Sequence, residues 1–141
     1  MNLPDVNIYL AAFRSDHPQH AQCRAWLIAE YGRGKPVGIL LQVLSSVVRV
    51  ATMPGFLKQP STLDETLEFC QALIDHPCSV IVRQGKDQWQ EFCKACRASS
   101  ARGKLVPDAW FAATAIEHNC TWTSNDGDFA KFPGLKWQKP Q

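Results

Sequence analysis

The sequence predicts an α/β protein with a central, mainly parallel sheet, and three observations carry that prediction. Short runs rich in Val, Ile, Leu and Trp alternate with longer segments whose apolar residues recur at helical spacing. Parallel neighbours need crossover connections, and the intervening helical segments supply them. No apolar run approaches the ~20 residues of a membrane span, so the apolar segments belong to a globular core.

The elements follow in order. Leu3-Pro4-Asp5-Val6 reads as the end of a strand switching into a helix over VNIYLAAF (6–13), and HAQCRAWLIAEY (20–31) as a second helix. VGILL (37–41) is a buried strand. QVLSSVVRVAT (42–52) is a helix with Val43, Leu44, Val47 and Val48 on one side, stopped by Met53-Pro54-Gly55. Thr62 and Glu65 have the spacing of a capping box and open a helix expected to turn Leu63, Leu67, Cys70 and Ile74 inward. SVIV (79–82) is a strand, Asp87 an N-cap, and Trp89, Phe92, Cys93 and Cys96 recur as an apolar helical stripe. A short strand is expected at 104–106, a helix over DAWFAATAIEHN (108–119) that ends at Asn119, and a strand at CTWT (120–123).

Length and composition bound the function. At 141 residues the chain suits one domain, 1–141, that buries roughly two-thirds of its unfolded surface. With 45% hydrophobic and 20% charged residues it reads as an ordinary globular protein. A formal charge of +2 does not mark a non-specific polyanion binder, and it leaves room for a local basic groove. The start MNLPDVNIYLAAF lacks the pattern of a secretory signal, which makes the cytoplasm the expected compartment. The six cysteines lie scattered within apolar patterns and read as reduced and mostly buried. Cys93 and Cys96 lack a second pair or spaced histidines for zinc, so core packing is the reading. His17, His20, His76 and His118 form no arrangement that demands a general base.

The chemistry lies in the acids. SNDGDFAKF (124–132) follows the last strand and sets Asp126 and Asp128 two residues apart. Asp-Gly is also an ordinary turn pair. Asp5 and Asp108 each follow a proline where a strand is expected to become a helix, and a carboxylate in a first helical turn gains about 0.3–1 kcal/mol from the macrodipole. Taken singly, each Asp therefore has a structural explanation. Together, four acids at the carboxyl ends of parallel strands point to one cleft, since that is where such sheets bind ligands. Like charges gathered there raise one another's pKa unless a cation neutralises them. The donors are all oxygen, which points to Mg2+ or Mn2+, and an acidic site of this kind suits phosphoryl chemistry. An EF-hand is excluded, because the position that would need a closing Glu is Trp137.

LPDVN (3–7), LVPDAWFAATAIEHNC (105–120) and SNDGDFAKFPGLKWQKP (124–140) resemble the PIN-domain ribonucleases, specifically the VapC toxins of type II toxin–antitoxin modules. HPQHAQCRAWL (17–27) and VVRVATMPGFLKQPSTLDE (47–65) extend the likeness along nearly the whole chain. The resemblance implies a three-layer α/β/α fold, a homodimer, and Mg2+- or Mn2+-dependent endoribonuclease activity by attack of a metal-activated water on an RNA phosphate. It also implies a small VapB-like antitoxin that covers the site, with operon DNA reached through that antitoxin rather than directly. By position it implies metal ligation and catalysis by Asp5, Asp108, Asp126 and Asp128, supported by Asn7 and Ser124. One departure stands out: where many of these nucleases carry Glu three residues before the arginine of the third helix, this chain has Ser46 before Arg49. Arg49, Lys131, Lys136 and Lys139 are expected to position RNA, and Trp110 to stack on a base or pack against protein. Two rivals remain open. One is a weak or silent PIN domain that only binds RNA or protein. The other is a Mg2+-dependent phosphohydrolase, which would want D-x-D where Asp5-Val6-Asn7 stands.

Overall fold

The computed structural model describes residues 1–141. The chain runs β1 (Asn2–Pro4), α1 (Val6–Phe13), α2 (His20–Gly32), β2 (Val37–Ile39), α3 (Leu41–Ala51), α4 (Leu63–Asp75), β3 (Ser79–Ile81), α5 (Gln88–Ser99), α6 (Leu105–Glu117), β4 (Thr121–Thr123) and β5 (Lys136–Gln138). All five strands are parallel, in the order β3-β2-β1-β4-β5. Right-handed crossovers put the helices that link β1, β2 and β3 on one face, and α5 and α6, which carry the chain from β3 to β4, on the other. The result is the expected α/β/α sandwich.

The topology decides where a site can form. The chain leaves β1 toward β2 on one side, while β4 pairs with β1 on the other, with Asn2 opposite Thr121 and Pro4 opposite Thr123. The strand order therefore reverses between β1 and β4, and a crevice opens beyond their carboxyl ends. Asp5 follows β1 and Ser124 follows β4 at that crevice.

Several elements agree with the sequence, and the differences have identifiable causes. The capping box forms in both directions, with Glu65 N–H donating to Thr62 Oγ1 (3.2 Å) and Thr62 N–H to Glu65 Oε1 (2.9 Å). Asn119 takes the left-handed conformation (φ 52°) just beyond α6. The strand expected at 104–106 does not exist: Leu105 and Val106 already belong to α6, because turn bonds to Arg102 and Gly103 wind the chain early. Proline disfavours helix at the residue before it, yet Pro107 lies in the first turn, where its missing N–H costs no bond. Asp108 thus reaches the site from a helical turn rather than from a strand end. The strand predicted at 37–41 stops at Ile39; Leu40 is the extended N-cap of α3, which begins at Leu41. The edge strand β5 was not legible, since KWQ is too short and polar to announce itself.

Two inward-facing assignments also change. On α4 the buried stripe is Thr66, Cys70 and Leu73, while Leu63 (56% exposed) and Leu67 (47%) face outward. On α5 the buried residues are Gln88 and Ala95, Trp89 is 66% exposed, and Cys93 and Cys96 are half-buried free thiols. The helix packs on α6 through a narrower stripe than the aromatic pattern suggested. Asp87 holds the N-cap position without a capping bond of its own; Glu117 from α6 accepts the Gly85 and Asp87 N–H groups instead (3.1 and 2.9 Å).

Under the crevice the core is aromatic. Trp122 of β4 is fully buried, stacked on Phe111 of α6 (5.4 Å, 13°) and tilted against Phe129 (5.3 Å). Phe129 and Phe132 are buried in turn, and they anchor the 3-10 turn at Gly127–Lys131 that carries the last acids. At Gly38, in the middle of β2, an added Cβ would strike Leu3 and stand 3.2 Å from Val82 Cγ2 and 3.3 Å from Asn2 O. Leu3 is fully buried in the core and cannot yield freely. Gly38→Ala is expected to destabilise the protein by about 1–3 kcal/mol, read as a lower urea midpoint at unchanged m-value; an unchanged midpoint would show that the sheet has slack at this point.

Candidate active site

A hydrogen-bonded knot joins the ends of β1 and β4 at the crevice. Asp5 is 6% exposed, and its Oδ1 accepts the Val6 N–H (2.7 Å), which caps α1. Its Oδ2 accepts from Ser124 Oγ (2.6 Å) and from Asn7 Nδ2 (2.8 Å). The Ser124 hydroxyl in turn accepts from Asn7 Nδ2 (2.8 Å) and from the Asp126 N–H (3.0 Å). Asn7 Oδ1 accepts the Asn125 N–H (3.1 Å), and the Asn125 amide reaches Gln19 Oε1 on the way into α2 (3.1 Å). Ser124 and Asn7 thus bridge two chain segments more than a hundred residues apart in sequence. Asn125, which the sequence reading passed over, extends the bridge to α2; only its place between Ser124 and Asp126 could have drawn attention to it.

The other acids approach from two sides. Asp126 Oδ1 accepts the Asp128 N–H (2.9 Å), so the Asp-Gly-Asp stretch is a real capped turn as well as a source of carboxylates. Asp108 stands in the first turn of α6. Burial pushes the Asp5 carboxyl up from 3.8 to about 6, against the bonds from Ser124, Val6 and Asn7, with the charge of Asp126 adding to the rise. Burial likewise lifts Asp108 to about 7, and the charges of Asp5, Asp126 and Asp128 add to it. Asp128 is held low by its bond to Lys131, whose Nζ lies 2.9 Å from Asp128 Oδ1. The four acids named from the sequence therefore share one electrostatic environment. They are not drawn into a tight cluster: no three His, Cys, Asp or Glu side chains gather at metal-ligating range of one point.

That arrangement fits a hard divalent cation. The donors are oxygens, and burial, with neighbouring negative charge added to it, raises two of the carboxyls, a penalty a bound cation would relieve. Mg2+ commonly keeps several waters and takes only one or two carboxylates, so a tight three-acid cluster is not required.

The remaining candidates divide. Ser46 lines a depression of about 520 Å³ with Gln42, Ser45, Pro107 and Trp110, so it faces the start of α6, in a hollow that none of the four aspartates lines. Arg49 is exposed one turn further along α3. Trp110 packs edge-on against Phe92 (5.1 Å) and is half-buried. Lys136 is not at the crevice: it stands opposite Thr121, at the amino end of the strands, where its Nζ donates to Asn119 Oδ1 (2.6 Å). Lys139 follows Gln138, which pairs with Thr123, and is exposed on the crevice side. Lys104, which the sequence did not single out, acts on both Asp108 and Asp128 through its charge.

Fold and site together define an α/β protein with an acidic, oxygen-donor cleft at the switch point of a parallel sheet. The chain belongs to the PIN domain family, which matches residues 3–135. It is 32% identical over 136 residues to a VapC ribonuclease of Mycobacterium bovis, covering 96% of this chain and 92% of the relative. It is 34% identical over 140 residues to Ribonuclease VapC31 of Mycobacterium tuberculosis, covering 99% of each. Among solved structures, VapBC2 of Rickettsia felis bound to a promoter DNA fragment superposes with a TM-score of 0.71 at 14% identity, covering 99% of this chain and 98% of that one. VapC20 of Mycobacterium tuberculosis, described as a sarcin-ricin loop cleaving toxin, gives 0.66 at 14% identity, over 96% and 99%. These structural likenesses bear on the fold.

The raised carboxyls set a pH dependence. Asp5 and Asp108 hold their protons more tightly folded than unfolded, so the native chain binds more protons between pH 3.8 and about 7. The associated stability is fully present below the unfolded value and is lost as pH rises through about 6 and then about 7. In EDTA, Asp108→Asn is expected to melt higher than the parent at pH 8 and to flatten the fall between pH 5 and 8, by on the order of 1 kcal/mol after solvent screening. Parallel melting curves for the two proteins across that range would contradict the shared acidic environment.

Proposed function

We propose that this chain is a metal-dependent endoribonuclease and the toxin half of a VapBC-type pair, acting in the cytoplasm with Mg2+ or Mn2+. The observation that carries the reading is the mutual charge of Asp5, Asp108, Asp126 and Asp128 at the sheet's switch point. The likeness to curated VapC ribonucleases over nearly the whole chain supports the reaction class. Structural neighbours include FitAB bound to a DNA fragment and the Rickettsia VapBC2 complex, which supports a VapB-like antitoxin partner through which DNA is reached. The same reading includes a homodimer.

In this reading Asp5 and Asp108 would hold the cation, with Asp126 and Asp128 contributing directly or through water. When bound, the ion supplies a water of lowered pKa and offsets charge on the phosphate oxygens. The chain's own residues do the positioning. Ser124 and Asn7 fix the rotamer of Asp5, so one lone pair of that carboxylate keeps its aim without further ordering. Asp126 and Asp128 are held on a turn anchored by buried Phe129. Ser46, facing the start of α6, offers a hydroxyl but no charge, so the pocket relies on the four aspartates.

The test is cleavage of a structured RNA by freshly purified protein in Mg2+ or Mn2+, with EDTA and Asp108→Asn as controls. Cleavage that EDTA abolishes and that Asp108→Asn lowers by at least about a hundredfold is expected, the scale of losing one electrostatic contributor. Equal cleavage by the mutant would expose a contaminant. A well-folded parent that stays inactive in Mn2+ would leave a silent PIN domain that only binds.

A further inference from the structure

The turn between α5 and α6 sets a cation where helix electrostatics disfavour one. Ser100 and Gly103 adopt left-handed backbone (φ 51° and 52°), and bonds from Leu105 N–H to Arg102 O and Val106 N–H to Gly103 O (3.1 Å each) wind the chain into α6. Lys104 is the residue just before the helix. It makes no capping bond, is exposed, and has neither an ion pair nor a side-chain hydrogen bond. A cation at this end opposes the macrodipole by about 0.3–1 kcal/mol, and Ser, Thr, Asp or Asn would cap the helix better. The carboxylates of Asp108 and Asp128 offset part of that cost, which ties the residue to the crevice rather than to the winding of the turn.

Its surroundings say which function. Lys104 precedes Asp108 by one helical turn on the same face. The helix it opens, α6, packs against the 3-10 turn that carries Asp128, so Lys104 stands at the end of the arm that faces that turn. The other cation there, Lys131, is already engaged by Asp128. A phosphodiester approaching four carboxylates is repelled, and Lys104 is an exposed, unpaired cation on its way in; Arg49 and Lys139 are exposed as well, but neither lies on an element that carries one of the acids. We propose that Lys104 binds a backbone phosphate of the RNA beside the linkage that is cut, and so positions the strand over Asp5 and Asp108. This assignment rests on the ribonuclease reading above. It is a phosphate contact and therefore carries no base preference.

The experiment uses the full chain with Asp108→Asn, whose lowered cleavage leaves the RNA intact over a short titration, and labelled single-stranded RNA across a salt series. Adding Lys104→Gln is expected to weaken binding about fivefold for every RNA sequence tried and to lower the slope of log K against log salt by about 0.7–1. Lys104→Arg should keep both. In the otherwise native chain, Lys104→Gln should raise KM with little change in kcat, while its melting temperature is held or raised. A Mn2+ titration without RNA separates the rival role: unchanged RNA affinity and salt slope alongside a shifted Mn2+ affinity would show that Lys104 serves only the carboxylates, and would overturn the proposal. Absence of both RNA binding and cleavage in the parent would instead remove the ribonuclease reading, and the proposal with it.

Discussion

The burial of carboxylates beside one another is the constraint around which this structure is arranged. Four aspartates from three parts of the chain share one crevice, and in the protein alone burial and neighbouring charge raise the carboxyls of Asp5 and Asp108 to about 6 and about 7. A folded chain keeps such an arrangement only where other interactions hold the acids in place. Here the Ser124 hydroxyl and the Asn7 amide do so. They tie Asp5 to the segment after β4 and hold Asp126 by its backbone N–H, while Phe129 pins the following turn into the aromatic core.

The sheet makes that knot possible. In the order β3-β2-β1-β4-β5, β1 and β4 are neighbours that send their chains to opposite sides, so no connection covers their carboxyl ends. The Asp5 N–H donates to Thr123 O (2.9 Å) and the Ser124 N–H to Gln138 O (3.0 Å), which carries strand-like pairing to the lip of the crevice. Trp137 of β5 adds an indole N–H to Ser124 O (3.2 Å). The edge strand that the sequence did not announce therefore braces the segment from which the last acids hang. Precision at the site comes from rigid strand ends, and the acids on α6 and the 3-10 turn complete it.

Much was legible in advance because the signals were local. The capping box, the helical stop at Asn119, the alternation of strand and helix, and acids at chain switches each follow from a few adjacent residues. The failures were of another kind. Leu105-Val106 has strand composition, and proline argues against helix before it, yet turn bonds from Arg102 and Gly103 outweighed both. Trp89 matched a helical stripe, but the width of the α5–α6 contact left it in solvent. Lys136 lay close in sequence to Asp128 and ended at the far end of β5, because parallel pairing sends that strand's start to the opposite edge of the sheet.

By itself, the sequence determined the α/β class, the family likeness and the identity of the acids, since residue chemistry and short-range periodicity carry that information. Only the tertiary structure decided that Asp108 arrives from a helical turn, that Asn7, Ser124 and Asn125 lock the two central strands together, and that Lys104 rather than Lys136 stands at the rim. Those outcomes depend on strand order and on contacts between residues about a hundred positions apart, which no local pattern encodes.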